Sequence, residues 1–203
     1  MLNISKVSDP RGRLLIQDPP IAQLLFQSTL ASWLWLVVRV FVGWQFLDAG
    51  LHKLNTPAWV DGSGQGILGF WKGALAVNNG KPVITYDWYR GFIQLLVDTN
   101  SAGWFSYVIV GGEIAIGLGL ILGAFVGLAA AGGLFMNMAF LLAGTVSTNP
   151  VLALLGVLLI LAWKNAGYVG LDRFLLPVLG TPWQRTTTPR STAAPVAATT
   201  LAR

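Results

Sequence analysis

Two long apolar runs occupy much of the chain. The first, at about 29–51, contains one cation, Arg39, and one anion, Asp48. The second, residues 104–143, contains Glu113 as its only charged residue. As a single helix the second run would be about 60 Å long, twice the thickness of a bilayer's hydrocarbon core. It must therefore fold back on itself as two helices.

Turn residues divide the remaining apolar sequence. Gly123 and Gly127 mark the predicted turn inside the second run, and Asn149-Pro150 opens a further apolar helix. We predict an all-α integral membrane four-helix bundle in residues 29–176. A cytoplasmic N-terminal segment at 1–28 and a flexible C-terminal tail at 177–203 flank it. The spans are predicted at about 29–51, 104–122, 125–144 and 151–166.

The loop between the first two spans, residues 55–101, is rich in aromatic residues. Apolar residues recur at helical spacing from Ile67 to Leu75 and from Trp88 to Leu96. This pattern predicts two short amphipathic helices that lie in the outer membrane interface. They form either an aromatic belt or a cap over a ligand pocket.

Composition supports the membrane assignment. Hydrophobic residues make up 54% of the chain and charged residues 10%, whereas a soluble domain has about 25% charged residues. The mean hydropathy is +0.64. The net charge of +5 comes largely from basic residues that flank the apolar runs, so we interpret it as a topology signal and not as nucleic-acid binding.

The distribution of basic residues predicts the orientation. Eight lie on the side of the termini and four between the first and second spans. This bias places both termini in the cytoplasm and requires an even number of spans. The expected location is the inner membrane of a prokaryotic cell.

Residue counts exclude several cofactors. The chain has no cysteine and one histidine, His52. It cannot hold an iron–sulfur cluster, a c-type haem or a haem with two histidine ligands, and no convincing metal site is apparent. Electron transfer would therefore need a diffusible cofactor such as quinone, or the centres of a partner protein.

Three polar residues fall at similar predicted depths in the bilayer. Arg39, Glu113 and Asn137 lie near the middle of spans one, two and three. Since a buried charge needs a partner, we predict a midplane network with Arg39 facing Glu113. The network either fixes helix register or binds a polar head group. In a quinone site, Arg39 would donate to the carbonyl oxygen and Glu113 would handle protons.

A second polar cluster lies nearer the end of span one. Gln45, Asp48 and His52 share one helix face, and Lys53 follows at the outer interface. This cluster is either a hydrogen-bonded helix end with a snorkelling lysine or an anion or quinone site. In the second case His52 would exchange protons, with Asp48 setting its tautomer.

Small residues recur on span two at positions 111, 115, 119 and 123. Such a ladder predicts the close approach of another helix, either within the bundle or from a partner subunit.

Several motifs resemble the DoxX family. The segment 39–54, with its Phe-Leu-Asp-Ala-Gly-Leu-His-Lys stretch, is similar to the first-helix signature of that family, and residues 57–73 resemble its DoxD branch. Gly112-Glu113, Asn149-Pro150 and Gly170-Leu-Asp-Arg173 extend the resemblance. It covers about residues 30–175.

The resemblance implies a four-helix membrane domain. The DoxD branch implies a membrane subunit of thiosulfate:quinone oxidoreductase, which oxidises thiosulfate to tetrathionate and passes electrons to quinone. With the residue-based arguments above, this gives Arg39, Glu113, His52 and Asp48 as candidate catalytic residues. The candidate substrate-binding and quinone-binding residues are Lys53, Trp59, Trp71, Lys72 and Asn137.

Two other functions stay open at this point. The chain could be a non-catalytic accessory subunit of a larger respiratory or photosynthetic membrane complex, where it shapes a quinone channel or stabilises neighbouring subunits. A transporter or channel is ranked below both, because the sequence has no clear inverted repeats and no Pro-broken paired spans. Partner subunits, membrane-embedded or peripheral, are expected in the first two cases.

Overall fold

The computed structural model describes residues 18–179 and two short strands before them. The helices are α1 (Pro20–Gln27), α2 (Ser32–Leu54), α3 (Pro57–Val60), α4 (Gln65–Leu75), α5 (Asp87–Asp98), α6 (Ala102–Leu122), α7 (Val126–Leu142), α8 (Asn149–Leu161), α9 (Trp163–Ala166) and α10 (Asp172–Val178). Strands β1 (Val7–Ser8) and β2 (Leu14–Leu15) pair antiparallel, as do β3 (Val77–Asn78) and β4 (Lys81–Pro82). A 3-10 turn, Thr29–Ala31, leads into α2.

Two helices are long and apolar enough to cross a bilayer. They are α2 with its preceding 3-10 turn and α6, while α7 and α8 are shorter apolar helices of 17 and 13 residues. The sequence predicts that the fourth span continues to about residue 166. Instead α8 ends at Leu161, and the four-residue helix α9 follows after a break at Ala162.

The four apolar helices pack side by side. Helix α2 contacts α6 along its length, α7 contacts α8, and the two pairs meet through α6–α7 and α2–α8 contacts. Their shared core includes Trp35, Phe46, Leu120, Val126 and Leu159. Burial of these large side chains fixes the four helices relative to one another.

Glycines let α2 and α6 approach closely. An added Cβ at Gly43 would lie 2.9 Å from the carbonyl oxygen of Gly117, and one at Gly117 would lie 2.7 Å from the backbone nitrogen of Leu47. The small residues predicted as a ladder, at 111, 115, 119 and 123, are not the ones that form this α2–α6 contact. Gly111 faces open space and Ala115 is exposed, so half of the ladder points away from the bundle.

The loop between α2 and α6 forms a compact layer, residues 57–98, which we call the cap. Helix α4 packs on α5 and on the first part of α6, and α3 packs on α6. Ile67, Trp71, Ile84, Ile93 and Ala143 contribute to a second core there. The cap therefore rests on one end of the bundle, the cap end. The opposite end, where α6 turns into α7, is called the terminal end.

The terminal end includes a helix that the sequence did not predict. Helix α1 lies within the predicted N-terminal segment and contacts α9. The indole N–H of Trp35 donates to the carbonyl of Leu25 at 2.6 Å, and the Asn165 amide donates to Leu25 and Ser28 carbonyls at 2.9 Å. These bonds attach α1 to the bundle. The predicted flexible tail lies outside the described residues from position 180 onward.

The α2–α6 packing predicts a difference between two Gly→Ala changes on one helix. Gly117→Ala should lower the free energy of unfolding by about 1–3 kcal/mol, because the new methyl group overlaps the backbone of α2. Gly111→Ala is the matched control, because a Cβ there meets nothing within 4 Å. Thermal unfolding in detergent measures both. Equal effects of the two changes would contradict the close packing.

Candidate functional site

Arg39 is buried at the terminal end of the bundle and binds backbone carbonyls. Its Nη1 donates to the carbonyl oxygens of Leu120 at 2.5 Å and Ile121 at 2.8 Å. Its Nη2 donates to the carbonyl of Val169. The last carbonyls of a helix have no partner within the helix and carry partial negative charge. Arg39 therefore satisfies the C-terminus of α6 and ties it to the segment before α10.

Asp172 makes the complementary contact at the next helix. Its carboxylate accepts hydrogen bonds from the backbone N–H groups of Phe125, at 2.6 Å, and Val126, at 2.9 Å. These N–H groups lie at the start of α7, where negative charge is favoured. Asp172 also acts electrostatically on Arg39. Opposite charges thus stabilise the two helix ends that meet in the α6–α7 turn.

The predicted pairing of Arg39 with Glu113 is wrong. The α2 residue that lies against Glu113 is Gly50, whose added Cβ would be 3.1 Å from the Glu113 Cβ. Arg39 precedes Gly50 by eleven residues, about 16 Å along a helix. The predicted pairing requires that α2 and α6 begin and end at the same depth in the membrane. Instead α6 extends past α2 at the cap end, where it carries the cap.

Glu113 is paired with Lys53. The Lys53 ammonium lies 2.7 Å from each carboxylate oxygen, and the side chains of Lys53 and Glu113 are 18% and 3% exposed. The ammonium also lies 5.3 Å from the centre of the Trp59 ring, within range of a cation–π contact. Helical side chains lean toward the N-terminus, so Lys53 points back into the bundle although it lies at the end of α2.

Asn137 lies near the level of this ion pair. On α7, Gly133 contacts Phe46 of α2, and Asn137 and Gly50 each follow one turn later toward the cap end. Asn137 is 2% exposed, and its Nδ2 has no hydrogen-bond partner. An unpaired buried amide donor is costly and is available to a ligand or a water molecule.

The second predicted cluster does not form a buried site within the chain. Asp48 and His52 are exposed on α2, and Gln45 is half-buried. Within the described part of the chain, the side chains of Asp48 and His52 make no hydrogen bond to each other. The predicted role of Asp48 in setting the His52 tautomer therefore has no support within one copy.

An apolar cavity of about 350 Å³ lies between the cap and the bundle. Aromatic residues dominate its wall. The cavity is lined by residues of α4 (Ile67, Phe70, Trp71), α5 (Trp88, Tyr89, Phe92, Ile93, Leu96), α6 (Phe105, Ile109) and α7 (Phe135, Met136, Met138, Ala139, Phe140, Leu142). The Tyr89 hydroxyl donates to the carbonyl of Ala139 at 2.8 Å and so attaches the cap to α7.

The candidate binding residues divide between these places. Trp71 is buried in the cavity wall against Phe105, with ring centres 5.3 Å apart. Trp59 belongs to the Lys53 environment, and Lys72 is exposed on α4. Sequence reasoning missed most of the cavity, because its α6 and α7 residues are ordinary apolar positions. Only the helical spacing of aromatic residues in the loop indicated that a pocket could be present.

The cavity and the buried polar groups are neighbours along two helices. Ile109 lines the cavity and precedes Glu113 by one helical turn, about 6 Å. Met136 lines it and directly precedes Asn137. A ligand in the cavity would therefore lie about one helical turn from an ion pair and a free amide donor.

The two helices that are long and apolar enough to cross a bilayer, packed against further apolar helices, indicate a helical membrane protein. A family model described as DoxX matches residues 34–148, which is more than half of the chain. The chain belongs to the DoxX family. No curated protein and no solved structure gives a significant match to it.

The ion pair predicts non-additive effects on stability. Lys53→Met should lower the free energy of unfolding by about 3 kcal/mol, since it leaves the Glu113 carboxylate buried without a counter-charge. The double variant Lys53→Met with Glu113→Leu should recover most of that loss. Denaturant unfolding in mixed micelles measures the free energy of unfolding of the two single variants and the double variant. A double variant that loses the sum of the two single effects would contradict the pairing.

Proposed function

We propose that this DoxX protein is a quinone-binding membrane subunit of the thiosulfate:quinone oxidoreductase type. The observation that carries this proposal is the aromatic cavity between the cap and α6–α7. Its volume of about 350 Å³ falls within the range of small-molecule sites.

The wall of the cavity suits a quinone ring and the first part of its apolar tail. Aromatic side chains such as Phe70 and Phe92 offer faces and edges for ring packing. The indole N–H groups of Trp71 and Trp88 are the candidate donors to the quinone oxygens, since the Tyr89 hydroxyl already donates to the Ala139 carbonyl. A wall with so few polar groups suits a ligand that enters the cavity from the lipid phase.

The neighbouring polar groups suit proton supply. Oxidation of thiosulfate to tetrathionate releases electrons but no protons, whereas reduction of quinone to quinol consumes one proton per electron. We assign the proton-handling role to Glu113, with Lys53 balancing its charge and Asn137 donating a hydrogen bond. In this proposal Arg39 stabilises helix ends and does not act on the quinone.

The thiosulfate end of the reaction is assigned to the cap. Lys53 is neutralised by Glu113, so it is a weaker attraction for a dianion than its sequence position suggested. Lys72 lies exposed on α4, and Arg90 on α5 donates to the Leu75 carbonyl of α4 at 3.0 Å. The Arg90 Nη1 is buried and has no hydrogen-bond partner, so Arg90 is less accessible to a dianion than Lys72. Lys72 is therefore the preferred cation for thiosulfate.

The proposed topology follows from the same division of charge. Helices α2, α6, α7 and α8 would cross the membrane as a four-helix bundle, and the cap helices would lie at the outer surface. Both termini would be cytoplasmic, because Lys164 and Arg173 follow α8 at the terminal end and the sequence places further basic residues before the first span.

A second candidate is an accessory subunit that binds quinone without chemistry of its own. The absence of cysteine favours it, since the chain offers no thiol for sulfur chemistry and no ligand for an iron–sulfur cluster. In that case electrons from thiosulfate would reach quinone through a partner.

Filling the cavity tests the quinone proposal. Ala139→Phe places a ring in the cavity and should raise the KM for a short-chain quinone about tenfold, equivalent to about 1.4 kcal/mol of lost binding. Ala131→Phe, exposed on the same helix, is the matched control and should behave like the unaltered protein. The assay is thiosulfate-dependent quinone reduction by the protein purified with its partners, together with extraction of bound quinone.

The outcomes separate the two candidates. Turnover that Ala139→Phe weakens supports the enzyme subunit. Bound quinone without turnover in any combination of partners supports the accessory subunit. A protein that shows no turnover and holds no bound quinone would contradict both candidates.

A further inference from the structure

Asp48 is a charged side chain on an outward face of an apolar helix. It lies two residues before Gly50, which packs against Glu113 near the middle of α6. It also lies about 9 Å below the end of α2 at Leu54. Its neighbours on the same face, Trp44 and Leu51, are 57% and 40% exposed. Asp48 is therefore located within the apolar part of the molecule.

A carboxylate that faces the hydrocarbon of the lipid is costly. Such residues are rare in membrane helices and almost always face protein or a watery cavity. Within the described part of the chain, Asp48 has no hydrogen bond or ion pair. Asp48 therefore offers an unused acceptor on the outward face of α2.

The same helix offers both a complementary group and an apolar seat. His52 is exposed one turn after Asp48. Toward the terminal end, a shallow groove on α2 is lined by apolar side chains that include Val37, Phe41 and Trp44. This face of α2 therefore has an apolar half toward the terminal end. The half toward the cap end carries one acceptor, Asp48, and one donor, His52.

We propose that a second copy of this chain packs on this face of α2, with Asp48 of each copy bonded to His52 of the other. Two copies in one membrane have the same orientation, so their α2 helices are parallel and the two-fold axis is perpendicular to the membrane. In such an interface, residue i contacts residue j and residue j contacts residue i. An Asp48–His52 contact therefore occurs twice and satisfies both acceptors with the donors already present.

Helix geometry allows this contact. In two parallel helices both side chains lean the same way, so Asp48 and His52 stay about 6 Å apart along the axis, and the longer histidine side chain covers this offset by extending toward Asp48. Helix axes in contact lie about 8–10 Å apart, which an aspartate and a histidine side chain bridge together. The groove residues of both copies would meet below this contact and remove their apolar surface from lipid.

The absence of cysteine allows a direct test by disulfide cross-linking. Single substitutions Phe41→Cys and Val37→Cys place a thiol in the groove of the proposed interface, and Leu154→Cys places one on the exposed face of α8. Oxidation in native membranes should give a dimer of this chain for Phe41→Cys and Val37→Cys and little for Leu154→Cys. Equal cross-linking of all three would overturn the proposal, because it would reflect random collision.

A charge swap distinguishes a second copy from a different partner. Asp48→His or His52→Asp alone should reduce the dimer fraction at least about tenfold in single-molecule photobleaching of the detergent-solubilised protein. The double swap should restore it, because the two residues exchange roles across the two-fold axis. A chain that is monomeric in every variant would overturn the proposal. So would a Phe41→Cys cross-link that forms only to a different protein.

Discussion

Paired charges at the α6–α7 turn hold the terminal end of this molecule together. Arg39 binds the carbonyls that end α6, and Asp172 binds the N–H groups that begin α7. In an apolar surrounding both helix ends would otherwise be left with unsatisfied backbone groups. Gly123 and Gly170 leave room for the guanidinium, since a Cβ at either position would approach it to 2.7–3.0 Å. One turn therefore positions α2, α6, α7 and the start of α10.

This arrangement determines what happens at the other end of the bundle. With Arg39 placed at the end of α6, the offset between α2 and α6 brings Gly50 beside Glu113 and turns Lys53 inward. The part of α6 that extends past α2 supports the cap, and the cavity forms where cap, α6 and α7 diverge. The buried ion pair and the cavity are thus consequences of one helix offset, which is why they are neighbours.

Much of the fold could be predicted from the sequence, because membrane spans need long apolar runs and turns need residues such as Gly123. The charged contacts could not. Arg39 and Glu113 have matching depths if helices start level, and only the packed structure shows how far α6 is displaced along α2. The cavity was also hidden, since residues such as Ile109 and Met136 read as ordinary lipid-facing or core positions. Asp48 lies within an apolar helix and has no partner among the described residues, and it is the residue from which a neighbour is inferred.

Photolabelling with a short-chain azidoquinone shows whether the cavity binds quinone. After illumination in membranes and digestion, we expect labelled peptides from 105–109 and 135–142, with labelling suppressed by excess unlabelled quinone. Label that falls only on the exposed face of α2, or that excess quinone does not suppress, would contradict quinone binding in the cavity.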